Sequence, residues 1–176
     1  MNIDIQKLSA ELEKLSTFSD APAPAVTRVL WTRQDMRARA WLKLLALEAG
    51  LSYREDALGN TFIRLEGALP NLPAIGTGSH NDAIPFSGMY DGTVGVLGGL
   101  EALRAIKRSG LTHSRSLEVL MFTAEEPTRF GLGCLGSRML SGAIELEQVR
   151  ALQDTNGMDF ETARAEAGYT APLETV

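Results

Sequence analysis

The chain has 176 residues, enough for one domain with its own core, and its 44% hydrophobic and 22% charged residues are ordinary for a folded protein. A formal net charge of −5 argues against nucleic-acid or anionic-membrane partners, which need a basic face, and no apolar run approaches the roughly 20 residues that cross a bilayer. The one cysteine, Cys134, excludes an internal disulfide and fits a reducing, cytoplasmic setting; the acidic start Met-Asn-Ile-Asp-Ile shows no signal-peptide pattern.

In chain order, Ile5, Leu8, Leu12 and Leu15 recur at spacings of three and four and predict an amphipathic helix over residues 3–16. Residues 19–25, Ser-Asp-Ala-Pro-Ala-Pro-Ala, read as a stiff connector. Thr32 followed by Asp35 resembles a capping box, and the helix it opens runs to a stop at Gly50. Trp41, Leu44, Leu45 and Leu47 are expected to form its buried stripe. Two strands follow over 51–55 and 61–65, with Gly59-Asn60 in the turn. Residues 72–79 predict a buried strand that ends at His80. Residues 93–109 predict a helix starting just after Asp91, and Gly95, Gly98 and Gly99 suggest that it packs closely on a sheet. Residues 117–123 predict a second buried strand, ending at Glu125-Glu126. A loop with a short helical turn covers 131–142, and helices are expected over 145–153 and 159–168. Strands alternating with helices predict an α/β sheet covered on both faces, whose ligands gather beyond the carboxyl ends of the strands.

Both of those strand ends carry chemistry. His80 offers an imidazole, and Asp82 two residues on is placed to accept the proton on its second nitrogen. Ten residues separate His80 from Asp91, whose two oxygens suit it to bridge cations. Glu126 would complete the set, which leaves Glu125 free to take a proton from water and hand it to a leaving nitrogen. Imidazole with carboxylates suits manganese or zinc. His113 sits in a polar connector and reads as surface, and Cys134 reads as a small buried side chain.

Gly78-Ser79-His80-Asn81-Asp82, Tyr90-Asp91-Gly92 and Glu125-Glu126-Pro127-Thr128-Arg129-Phe130-Gly131 resemble the motifs of the M20 metallohydrolases. The match is closest to their amidase/hydantoinase-carbamoylase branch, and Leu135-Gly136-Ser137-Arg138 is similar too. The short gap between His80 and Asp91 resembles the carbamoyl and ureido hydrolases, and Pro127 the ureidoglycolate-cleaving members. The resemblance implies a three-layer α/β/α sheet of the metal-dependent exopeptidase type, of which residues 1–176 hold the N-terminal part of the catalytic domain. It implies two divalent ions, Mn2+ or Zn2+, held by His80, a bridging Asp91 and Glu126, with Glu125 as general base. Arg129 is either a substrate contact or part of a structural ion pair. The implied substrate is a small ureido or carbamoyl compound of purine or pyrimidine nitrogen catabolism, cleaved at a linear amide C–N bond: ureidoglycolate, allantoate or an N-carbamoyl amino acid. A peptidase or aminoacylase, or an inactive fragment, are the alternatives. Family members are over twice this length, dimerise through a further domain and take more histidine ligands from beyond this segment. An incomplete ligand set, an exposed sheet edge and exposed apolar surface are therefore expected.

Overall fold

The structure, a computed structural model, describes residues 2–176. Helix α1 (Ile5–Ser16) opens the chain, capped by the Asp4 carboxylate on the Lys7 amide at 2.9 Å. A short strand β1 (Val26–Arg28) precedes α2 (Arg33–Glu48). The hairpin β2 (Ser52–Glu55) and β3 (Thr61–Leu65) follows, then β4 (Ile75–His80), β5 (Ala83–Ser87), α3 (Thr93–Ser109) and β6 (Leu117–Phe122). Three short helices, α4 (Leu135–Leu140), α5 (Leu146–Arg150) and α6 (Phe160–Glu166), precede a final 3-10 turn.

The main sheet has the order β2-β3-β6-β4, in which β6 runs antiparallel to β3 and parallel to β4. The parallel pair needs a crossover, which α3 supplies. The expected α/β class therefore holds. A second, two-stranded ribbon pairs β1 with β5. Neither of its strands is predicted from the sequence, because β1 is three residues long and Pro85 interrupts the strand pattern of β5.

The core has two parts. Leu12, Leu15, Leu42, Leu45, Val96, Leu97 and Leu100 from α1, α2 and α3 close over Ile63, Val119 and Met121 on one face of the sheet. Beyond the sheet end, Trp31, Leu58, Leu135, Val149, Phe160 and Leu173 form a second cluster.

Cover on both faces is not what the structure shows. The opposite face presents Arg54, Phe62, Arg64, Glu118, Leu120 and Phe122, of which only Phe62 is buried, under the Arg54 guanidinium stacked 3.5 Å from its ring centroid. None of these six joins either hydrophobic cluster. Strand β4 is likewise mostly exposed rather than buried, because it forms the sheet edge; Ile75 is 59% exposed.

Helix α2 also departs from expectation. Leu44 and Leu47 are each 51% exposed, and the buried side is Asp35, Ala38, Arg39, Leu42, Leu45 and Ala46. That set keeps the i, i+3, i+4 helical spacing, but two of its members are charged. The capping box does not form: the Thr32 hydroxyl donates to the Val29 carbonyl, and the Asp35 carboxylate accepts from the Trp31 amide.

Candidate metal centre

His80, the last residue of β4, is 7% exposed, and its ring lies against Gly92 at the start of α3. Gly92 has φ +68°, and a Cβ there would stand 2.5 Å from the imidazole, so both backbone and space require glycine. This glycine turn delivers Asp91, with its carboxylate oxygen 3.8 Å from His80 Nε2. From the end of β6 come Glu125 and Glu126. Glu125 Oε2 lies 3.5 Å from the same nitrogen, and the ligand atoms of His80, Asp91 and Glu126 all fall within 4.8 Å of one another.

The turn that carries the two glutamates is held from several sides. Ala124 adopts φ +52°, a costly conformation for a residue with a Cβ. Amides at the start of α4 fix it: Gly136 donates to the Thr123 carbonyl at 2.9 Å, Leu135 to that of Ala124 at 2.9 Å and Cys134 to that of Glu125 at 2.7 Å. The fully buried Asp82 carboxylate accepts the Glu126 amide at 3.0 Å and the Glu125 amide at 3.4 Å.

Asp82 therefore supports the site differently from the sequence expectation. His80 Nδ1 donates to the backbone carbonyl of Asp82 at 2.9 Å, while the carboxylate is 3.7 Å away and turned to the glutamate amides. A carbonyl can only accept, so Nδ1 carries a hydrogen and Nε2 is the nitrogen that faces Asp91 and Glu125. Burial, and next the Asp35 carboxylate, push the Asp82 carboxyl up to about 6 against the pull of His80. Burial also raises the Glu126 carboxyl; His80 opposes this, and repulsion from Glu125 and Asp91 adds to it.

Cys134 is half-buried rather than enclosed, because its left-handed backbone (φ +57°) turns the thiol toward the site. Sγ donates to Glu125 Oε1 at 3.5 Å. Burial and the Glu125 carboxylate push the thiol upward, which keeps it protonated as a donor. Its place in a Gly-Leu-Gly-Cys-Leu-Gly run, close after the glutamates, was the available signal. Arg129 makes an ion pair with Asp154 at 3.2 Å and also donates to the Leu30 carbonyl, which gives it structural partners. His113 is half-buried on its connector, its Nδ1 bonded to the Arg115 carbonyl.

An imidazole nitrogen and the carboxylates of Asp91 and Glu126 converging on one small volume, with the Glu126 carboxyl pushed upward by burial and by its acidic neighbours, form a donor set that suits a divalent cation, and Glu125 stands beside it.

Comparison with known proteins identifies the family. The family model of Peptidase family M28 matches residues 60–166, and the chain belongs to that family. Within it the similarities point to amidases. The chain is 52% identical over 171 residues to ureidoglycolate hydrolase of Arabidopsis thaliana, covering 96% of this chain and 36% of that protein. It is 39% identical over 163 residues to N-carbamoyl-L-amino-acid amidohydrolase of Paenarthrobacter aurescens, covering 93% and 39%. Among solved structures, that of AtUAH in complex with glyoxylate superposes with a TM-score of 0.93 at 50% identity, over 98% of this chain and 41% of that one. The chain thus spans a little over a third of the length of the curated relatives it matches.

Proposed function

We propose that the chain is the N-terminal, metal-binding part of the catalytic domain of an amidohydrolase that cleaves a linear amide C–N bond in a small ureido or carbamoyl compound. A ureidoglycolate-like substrate is the first choice, with allantoate and N-carbamoyl amino acids next. The meeting of His80, Asp91, Glu125 and Glu126 in a chain half-identical to a ureidoglycolate hydrolase carries this reading. The finer family reading is that this amidase group belongs with the M20 metallohydrolases, the complete protein acting as a homodimer in the cytoplasm.

His80, Asp91 and Glu126 would hold the ion, and Asp91 would be shared in a pair of Mn2+ or Zn2+ ions. Such an ion polarises a carbonyl and acidifies water. The protein's own groups do the rest. The thiol of Cys134 occupies Glu125 Oε1, leaving Oε2 to face the site, take a proton from water and later return it to the departing nitrogen. The carbonyl of Asp82 holds the hydrogen on His80 Nδ1 and so orients Nε2 toward the site.

The test is ammonia release from ureidoglycolate, allantoate and N-carbamoyl amino acids, beside dipeptide cleavage, with manganese or zinc supplied. Glu125→Gln should keep its metal and lose about 100-fold or more in turnover, in line with general acid–base contributions. Dipeptide cleavage in preference to ammonia release would replace this reading with a peptidase.

A further inference from the structure

The two loops that meet at the centre share a support that lies outside it. Asp35 of α2 is fully buried and pairs with Arg39, one helical turn on, at 3.0 Å. The second oxygen of Asp35 accepts the side-chain amide of Asn81 at 3.0 Å. Asn81 stands between His80 and Asp82, and its carbonyl is held by Arg28 of β1 at 2.7 Å. Arg28 is itself anchored on the Leu15 and Phe18 carbonyls. On its other side, Arg39 donates to the Thr123 hydroxyl at 3.3 Å and to the Gly59 carbonyl at 2.8 Å. The next residue, Asn60, accepts the Thr123 amide at 2.9 Å. Thr123 immediately precedes the strained Ala124 and the two glutamates.

We infer that the buried Asp35–Arg39 pair is a positioning clamp that fixes the separation of the His80–Asp82 loop from the Thr123–Glu126 turn, through Asn81 on one side and Thr123 on the other. The inference rests on the proposed metal centre and deepens it. Stability alone does not account for Asn81. Its Oδ1 is buried without a hydrogen-bond partner among the described residues, a cost that a small apolar side chain would avoid. What asparagine supplies, and an apolar residue cannot, is the amide bond to Asp35.

Replacing Asp35 or Arg39 would strand a buried charge and risk unfolding, so the links are cut instead. Asn81→Ala removes the first link, and Thr123→Val removes the second with little change of shape. The 176-residue chain and both variants are titrated with manganese alone. Melting and amide exchange are followed in the metal-free state. Each variant should bind manganese about 10–100-fold more weakly, the range for loss of a group that orients a ligand. In Asn81→Ala the Glu126 amide, bonded to Asp82, should exchange faster. A lower melting midpoint with unchanged affinity and unchanged Glu126 exchange would make the pair merely structural and overturn the inference. If the parent chain takes up no manganese, these residues do not form the proposed metal centre on their own. Faster Glu126 exchange in the metal-free variant would then still uphold the clamp, and unchanged exchange would remove it.

Discussion

The two faces of the sheet are made by the same strands yet do different things. Alternate residues of β3 and β6, Ile63, Val119 and Met121, are sealed under three helices. Their neighbours Arg64, Glu118, Leu120 and Phe122 remain partly exposed. By register His80 falls in the second set, opposite Phe122. One phase of the sheet carries the packing, and the other leads to the donor groups at its end. Hydrophobic burial sets the stability of the first, whereas polar and charge-assisted bonds set the geometry of the second.

The largest test of that contrast is a pair of truncations. Leu100→Ala, on the side of α3 that covers the sheet, should cost about 3 kcal/mol of unfolding free energy, while Leu120→Ala on the open face should cost under about 1.5 kcal/mol. Equal losses in denaturant titration would erase the distinction between the faces. Next in size is metal. An ion at 100 times its Kd should stabilise the chain by about 2.7 kcal/mol, and Glu126→Ala should abolish that gain in calorimetry. A full metal-induced rise in that variant would remove Glu126 from the ligand set. Gly92→Ala should cost about 1–2 kcal/mol from its left-handed backbone and also push the His80 ring aside. A variant with parental metal affinity would show that the ring does not depend on this close approach.

The smallest effect concerns the segment beyond the sheet. At Asp154 burial works upward, but the Asn156 and Met158 amides and Arg129 prevail and hold the carboxyl low. The Thr162 amide lowers Asp159 and the Arg150 guanidinium lowers Glu174. Depressed folded-state values stabilise above the unfolded pKa, near 4, and that contribution disappears as pH falls through the folded values. Acid below about pH 4 should thus speed amide exchange in α6 before α3. The reverse order would show that these carboxyls do not secure the terminal segment.

Much of this was legible in the chain. The small residues of its first turns mark α3, and strand-forming residues after the Gly59-Asn60 turn mark β3. The candidate ligands His80, Asp91 and Glu126, with Glu125 beside them, stand out because each follows a strand or precedes a helix at one end of the sheet. What was hidden has a common cause. The buried side of α2 includes Asp35 and Arg39, which an apolar count assigns to solvent; only their pairing, with Asn81 nearby, lets them be buried. The role of the Asp82 carboxylate likewise depends on amides more than forty residues away. Strand patterning in β6 could not reveal that one face lacks a helical layer, because cover is a property of the neighbours.

The bond between His80 and the Asp82 carbonyl has a consequence for acid tolerance. A ring oriented by a carboxylate loses its director when that acid is neutralised. A peptide oxygen has no such titration, so the director of His80 survives any pH at which the backbone itself survives. Acidification then reaches the centre through carboxyls instead: through Glu126, raised by burial, and through Asp82, whose neutralisation would loosen its hold on the two glutamate amides. These are separable events, the first seen in the side-chain carboxyl resonance of Glu126 and the second in the amide resonances of residues 125 and 126.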